Sequence, residues 1–135
     1  MRKAVLNLLR SNEEGYLSGE EISRRLAVSR TAIWKHIQAL KEEGYQIESH
    51  ARQGYRLCSA PDLLLEAEIC SRLQTETFGK RGIVHLETVD STNNIAKQIA
   101  AKGCPEGTIV VAEEQQLGRG RLARGWFSPY GKGVW

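Results

Sequence analysis

A chain of 135 residues that is 41% hydrophobic and 26% charged is long enough for one ordinary domain or two small ones, with the make-up of a soluble globular protein. Its first apolar run, Ala4 to Leu9, is broken by Asn7 and is too short for a signal-peptide core or a membrane-spanning helix, which points to the cytoplasm. Cys58, Cys70 and Cys104 are odd in number and widely spaced, and His36, His50 and His85 lack ligand spacing, so free thiols and no metal site are expected.

Residues 1–57 hold 10 Lys+Arg against 7 Asp+Glu, whereas residues 58–135 hold 9 of each, so the net charge of +3 lies entirely in the first part. Ala4, Val5, Leu8 and Leu9 recur at helical spacing and predict a first helix ending near Asn12 to Gly15. Ser18-Gly19-Glu20-Glu21 is a capping box that starts a second helix with Ile22 and Leu26 facing inward. Ala27-Val28 is a tight turn. Ser29 then caps a third helix whose inward face is Ile33, Ile37 and Leu40 and whose stop is Gly44. Two short helices around a tight turn, the second basic near its N-terminus, predict a helix-turn-helix. Strands at Tyr45 to Glu48 and Tyr55 to Leu57, around a turn containing Gly54, make it winged.

In that arrangement Ser29, Arg30, Thr31 and Lys35 are the candidates for base edges and phosphates of DNA, with Arg52 and Arg56 on the hairpin for its backbone. Trp34 either flanks a phosphate or packs on a neighbouring element, and packing is the commoner fate of an aromatic at helical spacing.

Cys58-Ser59-Ala60-Pro61 marks a boundary, because Pro61 disfavours helix at Ala60. The expected domains are therefore 1–60 and 61–135. The second reads as a helix (Leu63 to Leu73), a strand (Ile83 to Glu87), a loop (Thr88 to Ser91) and a second helix (Thr92 to Lys102). A turn (Gly103 to Gly107) and a strand (Thr108 to Glu114) follow, with a further strand beginning at Val134-Trp135. Mixed helix and strand in both parts predict an α+β protein, its second domain incomplete as an α/β unit. Asp90-Ser91-Thr92-Asn93-Asn94 opens the second of these helices; such residues are preferred N-caps, and they also present hydroxyls to a small polar ligand at a helix N-terminus.

The segment Gly118-Arg119-Gly120-Arg121-Leu122-Ala123-Arg124-Gly125-Trp126 sets three guanidinium forks between glycines and closes on an indole. Arg matches phosphate and carboxylate, Gly lets backbone N–H groups approach an anion, and Trp stacks on a purine. The loop suits an activated nucleotide or an acyl-adenylate; the plainer reading is a solvated basic loop beside a core Trp. The partial match of Gly118, Gly120 and Ala123 to a dinucleotide fingerprint is weak, for want of a following βαβ unit.

Asp90-Ser91-Thr92-Asn93, Glu114-Gln115-Gln116, Gly118-Arg119-Gly120-Arg121 and Trp126-Phe127-Ser128-Pro129, in that order behind a winged helix-turn-helix, resemble the biotin protein ligases. The resemblance is to their bifunctional bacterial type, both ligase and biotin operon repressor, and it spans essentially the whole chain. It implies that Ser91, Thr92, Asn93 and Gln115 bind the head of biotin. Arg119 and Arg121 would meet its carboxylate and the phosphate of biotinyl-5′-AMP as the catalytic residues, and Trp126, Gly118 and Gly120 would hold the nucleotide. The implied substrates are biotin and ATP with Mg2+. The implied partners are operator DNA, the biotin carboxyl carrier protein of acetyl-CoA carboxylase, and a second copy in a homodimer of the full-length protein, with no membrane partner.

Two departures bear on this. Leu122-Ala123 stands where relatives commonly have a basic residue and a glycine. The family's Lys-Trp-Pro-Asn-Asp segment and later strands lie outside these residues, so the chain reads as a truncation that by itself is not expected to catalyse well. The alternatives are a DNA-binding regulator whose second unit only senses a ligand or is a remnant, and a relative of the lipoate ligases, against which the helix-turn-helix and the Gly-Arg-Gly-Arg order count.

Overall fold

The computed structural model describes residues 1–12 and 15–135, apart from the side chain of Ala123. Two compact units, Met1–Pro61 and Asp62–Trp135, divide the chain. Both mix helix and strand, and the protein is α+β. No helix among the described residues is long and apolar enough to cross a membrane.

The first unit holds α1 (Arg2–Arg10), α2 (Gly19–Leu26), α3 (Arg30–Glu42), β1 (Gln46–His50) and β2 (Gly54–Ser59). Helix α1 buries Val5, Leu6 and Leu9, whereas Leu8, expected inside, is only half-buried. At 3.6 residues per turn the first three share an arc of about 100°, and Leu8 falls on its rim. The helix ends at Arg10, short of the expected Asn12 to Gly15, because the Ser11 hydroxyl donates to the Leu8 carbonyl at 3.0 Å. Glu13 and Glu14, inside that expected range, lie outside the described residues.

The Ser18 hydroxyl accepts the Glu21 N–H at 3.0 Å, but the other half of the capping box is not made. The Glu21 carboxylate accepts instead from Arg25 at 2.7 Å and from Arg24, one helical turn along on the solvent side. Ile22 is buried and Leu26 half-buried. The turn runs through Ala27 in the left-handed conformation, φ 54°, and the Ser29 hydroxyl then caps α3 by accepting the Ala32 N–H at 3.2 Å. Ile33, Ile37 and Leu40 form the inner face of α3. Strands β1 and β2 pair antiparallel, His50 opposite Gly54. A third piece of sheet, not expected, comes from Leu17, which exchanges both backbone hydrogen bonds with Tyr55 at 2.8 and 2.9 Å. This explains Gly54: at φ +108° and hard against the Leu17 carbonyl, it has no room for a Cβ.

The second unit carries α4 (Glu66–Arg72), β3 (Ile83–Val89), α5 (Thr92–Ala101) and β4 (Ile109–Gln115). Helix α4 is shorter than expected because the Leu64 N–H donates to the Glu113 carboxylate at 2.6 Å, holding residues 63–65 extended. Strand β3 continues through Thr88 and Val89, residues expected in the loop, and pairs parallel to β4 from Ile83 opposite Ile109 to Val89 opposite Gln115. A parallel pair needs a crossover, and α5 supplies it. Residues 128–135 run along β4 through Gln115 N–H to Ser128 O at 3.1 Å and Ala112 N–H to Trp135 O at 2.9 Å. They are not a regular strand at Val134-Trp135.

Candidate functional site

Because β3 and β4 are parallel and in register at Val89 and Gln115, the start of α5 and the start of the basic loop emerge at the same carboxyl end of the sheet. That end is where open parallel sheets place ligands. Ser91 is the N-cap residue of α5, yet its hydroxyl makes no capping bond and the residue is buried, so simple capping does not account for it. The Gln115 side-chain oxygen accepts from both the Thr92 N–H at 2.9 Å and the Thr92 hydroxyl at 3.0 Å. The Gln115 amide nitrogen donates to the Ser128 hydroxyl at 3.2 Å. Asn93 sits exposed on the first turn of α5. Gln116 and Leu117 donate backbone hydrogen bonds to Val89 and Asp90 at 2.9 Å, fixing the loop's first limb to the end of β3.

The basic loop folds back on itself. Arg119 bridges Gly125, the Trp126 N–H donates to Gly118 O at 2.8 Å, and the Gly120 N–H donates to Arg124 O at 2.8 Å. Gly118 permits this closure, since a Cβ there would stand 2.5 Å from the Trp126 carbonyl oxygen. At the tip Leu122 takes φ 58° and is 88% exposed. Arg119, Arg121 and Arg124 are exposed and form no ion pair with a described residue. Trp126 is 59% exposed, so it is not a core residue. A cavity of about 510 Å³ opens on the loop, lined by Gly118, Arg119, Trp126 and Phe127 among others. Thr92 and Gln115 form a separate hydrogen-bonded pair next to the buried Ser91, and neither these three residues nor Arg121 lines the cavity.

The sequence reading missed the partners of this pair. Ser128, 2% exposed, accepts from the Gln115 side-chain amide with its hydroxyl and from the Gln115 backbone N–H with its carbonyl. Beneath it Glu113, 1% exposed, accepts from Leu64 and pairs with His85 Nε2 at 2.8 Å. A polar residue inside Trp126-Phe127-Ser128-Pro129 and an acid inside the apolar run of β4 were the available signals.

In the first unit a groove of about 790 Å³ lies between the starts of α2 and α3 and the hairpin turn. Of the residues expected on DNA, Arg30, Thr31 and Arg52 line it, and Ser29, Lys35 and Arg56 do not. Ser29 spends its hydroxyl on the cap. Arg56, expected on the DNA backbone, is paired within the hairpin while its side chain stays 40% exposed: its guanidinium donates to Glu48 at 2.8 Å and lies 5.1 Å over the Tyr16 ring. Tyr16 donates to the same carboxylate at 2.8 Å and packs edge-on to His50. The cluster braces the hairpin, holding the Glu48 carboxyl below its ordinary value through the Tyr16 and Arg56 hydrogen bonds and raising the Tyr16 hydroxyl through Glu48.

Residues 2–56 match the HTH domain model, and residues 85–135 match the biotin/lipoate A/B protein ligase family. Across all 135 residues the chain is 44% identical to the bifunctional ligase/repressor BirA of Bacillus subtilis strain 168. The chain is thus similar to a bifunctional ligase/repressor along its whole length. A second relative, BirA of Escherichia coli K12, is 34% identical over 131 residues, 97% of the chain. The chain spans about two fifths of the length of these relatives, 41% of the Bacillus protein and 38% of the Escherichia one. In both ligase/repressor alignments the similarity runs through both units, so the helix-turn-helix and the ligase segment occur together in the relatives as they do here.

Proposed function

We propose that this chain is part of a biotin-responsive repressor that is also a biotin ligase, its first unit binding operator DNA and its second opening the biotinyl-5′-AMP site. The observation that carries the reading is the arrangement at the carboxyl end of β3 and β4, where Ser91, the Thr92–Gln115 pair and an arginine loop without ion pairs to described residues emerge side by side. Gln115 keeps one amide N–H beyond its bond to Ser128, and Thr92 keeps acceptor lone pairs, so the two together offer a donor and an acceptor to the ureido ring of biotin. Ser91 and Asn93 complete that subsite.

The biotin carboxylate attacks the α-phosphorus of ATP and pyrophosphate leaves. Arg119 and Arg121 stabilise the charge that develops there, with Gly118 and Gly120 lending close backbone approach and Trp126 stacking on adenine. The amine of a lysine on the biotin carboxyl carrier protein then attacks the acyl carbon and AMP leaves. Among the described residues no three His, Cys, Asp or Glu side chains gather to hold a metal ion, so Mg2+ is assigned to the triphosphate it arrives on.

On the DNA side Arg30, Thr31 and Arg52 face the duplex from the groove, Lys35 flanks them, Ser29 fixes the helix start, and Arg56 acts through the brace. Pairing of two copies on a two-fold operator is part of the same proposal.

The test is calorimetric titration of the chain with biotinyl-5′-AMP, alongside gel shifts of duplex DNA with and without that ligand. Binding that falls at least tenfold in Arg119→Ala and in Gln115→Ala, and that tightens DNA binding, is expected. DNA binding with no ligand response would favour the regulator-only reading.

A further inference from the structure

We propose that Trp34 is a specificity-determining residue that reads thymine through its C5-methyl group in the major groove. The inference rests on the DNA-binding reading of the first unit and adds to it which base is read, and by which chemistry. Trp34 lies one helical turn beyond Arg30 on α3, about a quarter turn round the helix from the buried face of Ile33, Ile37 and Leu40. It is 52% exposed, and its indole stacks on no described ring and donates to no described acceptor. About half of the ring is therefore left open to a partner.

Its place decides what it meets. Trp34 lines the same groove as Arg30, Thr31, Ser49 and Arg52, and neither Arg30 nor Arg52 forms an ion pair with a described residue. Two free guanidinium groups beside the ring call for an anionic partner, and a duplex is one whose groove admits a helix. A phosphate backbone gives an indole little apolar surface. The floor of the major groove carries one apolar group that varies with sequence, the thymine methyl. An apolar ring flanked by Arg and Thr donors thus matches a site in which thymine neighbours a base presenting acceptors, as guanine does.

The experiment begins by selecting preferred duplexes from a random library with the whole chain. Each dT of the winning duplex is then replaced singly by dU, which removes only the methyl, and affinities are compared for the wild type, Trp34→Phe and Trp34→Ala. At one or more positions dU is expected to weaken the wild type about fourfold, the worth of burying one methyl-sized group. That penalty should persist in part in Trp34→Phe, which keeps a ring, and vanish in Trp34→Ala. Trp34→Gln gives the same readout should the alanine variant lose helical circular dichroism.

Uracil tolerated at every position, or a penalty undiminished in Trp34→Ala, overturns the inference while leaving DNA binding standing. Uniform loss in Trp34→Ala on dT and dU duplexes alike overturns it too, and assigns the ring to the sugar–phosphate backbone. If no sequence is enriched, the DNA-binding reading itself fails, and this inference with it.

Discussion

The two units are held together by different chemistry. Of the twelve apolar side chains buried among the described residues, ten lie in the first unit and only Val111 and Ala112 in the second, although the second is longer. The four buried polar or charged residues among the described ones, Glu68, Ser91, Glu113 and Ser128, lie in the second. The helix-turn-helix is a small scaffold that needs only to present a surface, so its stability comes from a dry core of Ile, Leu and Val. Around the proposed ligand site the interior is instead built from hydrogen-bonded side chains. Such networks fix orientation at a cost in apolar burial, which is the trade expected where a polar ligand must be held.

The largest expected effect tests the dry core. Ile37→Ala removes a fully buried side chain from the middle of α3 and should cost about 2 to 5 kcal/mol, enough to collapse amide-exchange protection throughout α1, α2 and α3. Protection surviving in those helices would show that the first unit does not depend on its apolar centre. Next comes the polar interior. Glu113→Ala strands the Leu64 N–H and the His85 ring, and should cost about 3 kcal/mol. Glu113→Gln, which keeps an acceptor, should recover part of that loss in a urea titration. Equal losses in the two variants would assign Glu113 to space-filling and erase the contrast.

Among the described residues each unit also holds one non-glycine residue in the left-handed region, Ala27 after α2 and Leu122 at the loop tip. Replacing either by Gly removes a Cβ penalty, and Ala27→Gly should gain about 1 kcal/mol, seen as a rise of several degrees in the melting midpoint of the first unit. Leu122→Gly should act elsewhere, in the loop's closing rate, because Leu122 is exposed and buries nothing. A comparable melting shift from Leu122→Gly would mean that the loop tip contributes to global stability.

What was legible in the sequence were features whose signals are local. Ser18, Ser29 and Gly44 bracket α2 and α3 because a cap acts within one helical turn, and the strand–helix–strand order of the second unit follows from periodicity and turn residues. The failures are contacts between residues far apart in the chain. Leu17 pairs with Tyr55 as a single bridge too short to have a period. Arg56 pairs with Glu48 and lies over Tyr16, contacts that no spacing rule connects. Helix α4 loses its first turn to Glu113, 49 positions away. At the candidate site the residue types of Thr92, Gln115 and Arg119 pointed to a ligand. Their division into a hydrogen-bonded pair and a free loop involves Ser128, whose only signal was its place as a polar residue inside Trp126-Phe127-Ser128-Pro129.

The smallest expected effect concerns acid, and it follows from the brace that pairs Arg56 within the hairpin. The Glu48 carboxyl is held below its ordinary 4.5, first by the Tyr16 hydroxyl and then by Arg56, and that of Glu21 by Arg25. A carboxyl whose folded value is depressed stabilises the fold above its unfolded value, and the contribution disappears as pH falls through the folded one. Urea midpoints of the wild type and Glu48→Gln should therefore differ at pH 7 and converge as pH drops below 4.5, where a protonated Glu48 resembles glutamine. Both partners are exposed to solvent, so the difference is small and salt should shrink it further. A gap that stays constant from pH 7 to pH 3 would mean that Glu48 acts by packing against Tyr16. In that case the charge of Arg56 would not be spent within the hairpin, and its return to the list of phosphate contacts would be required.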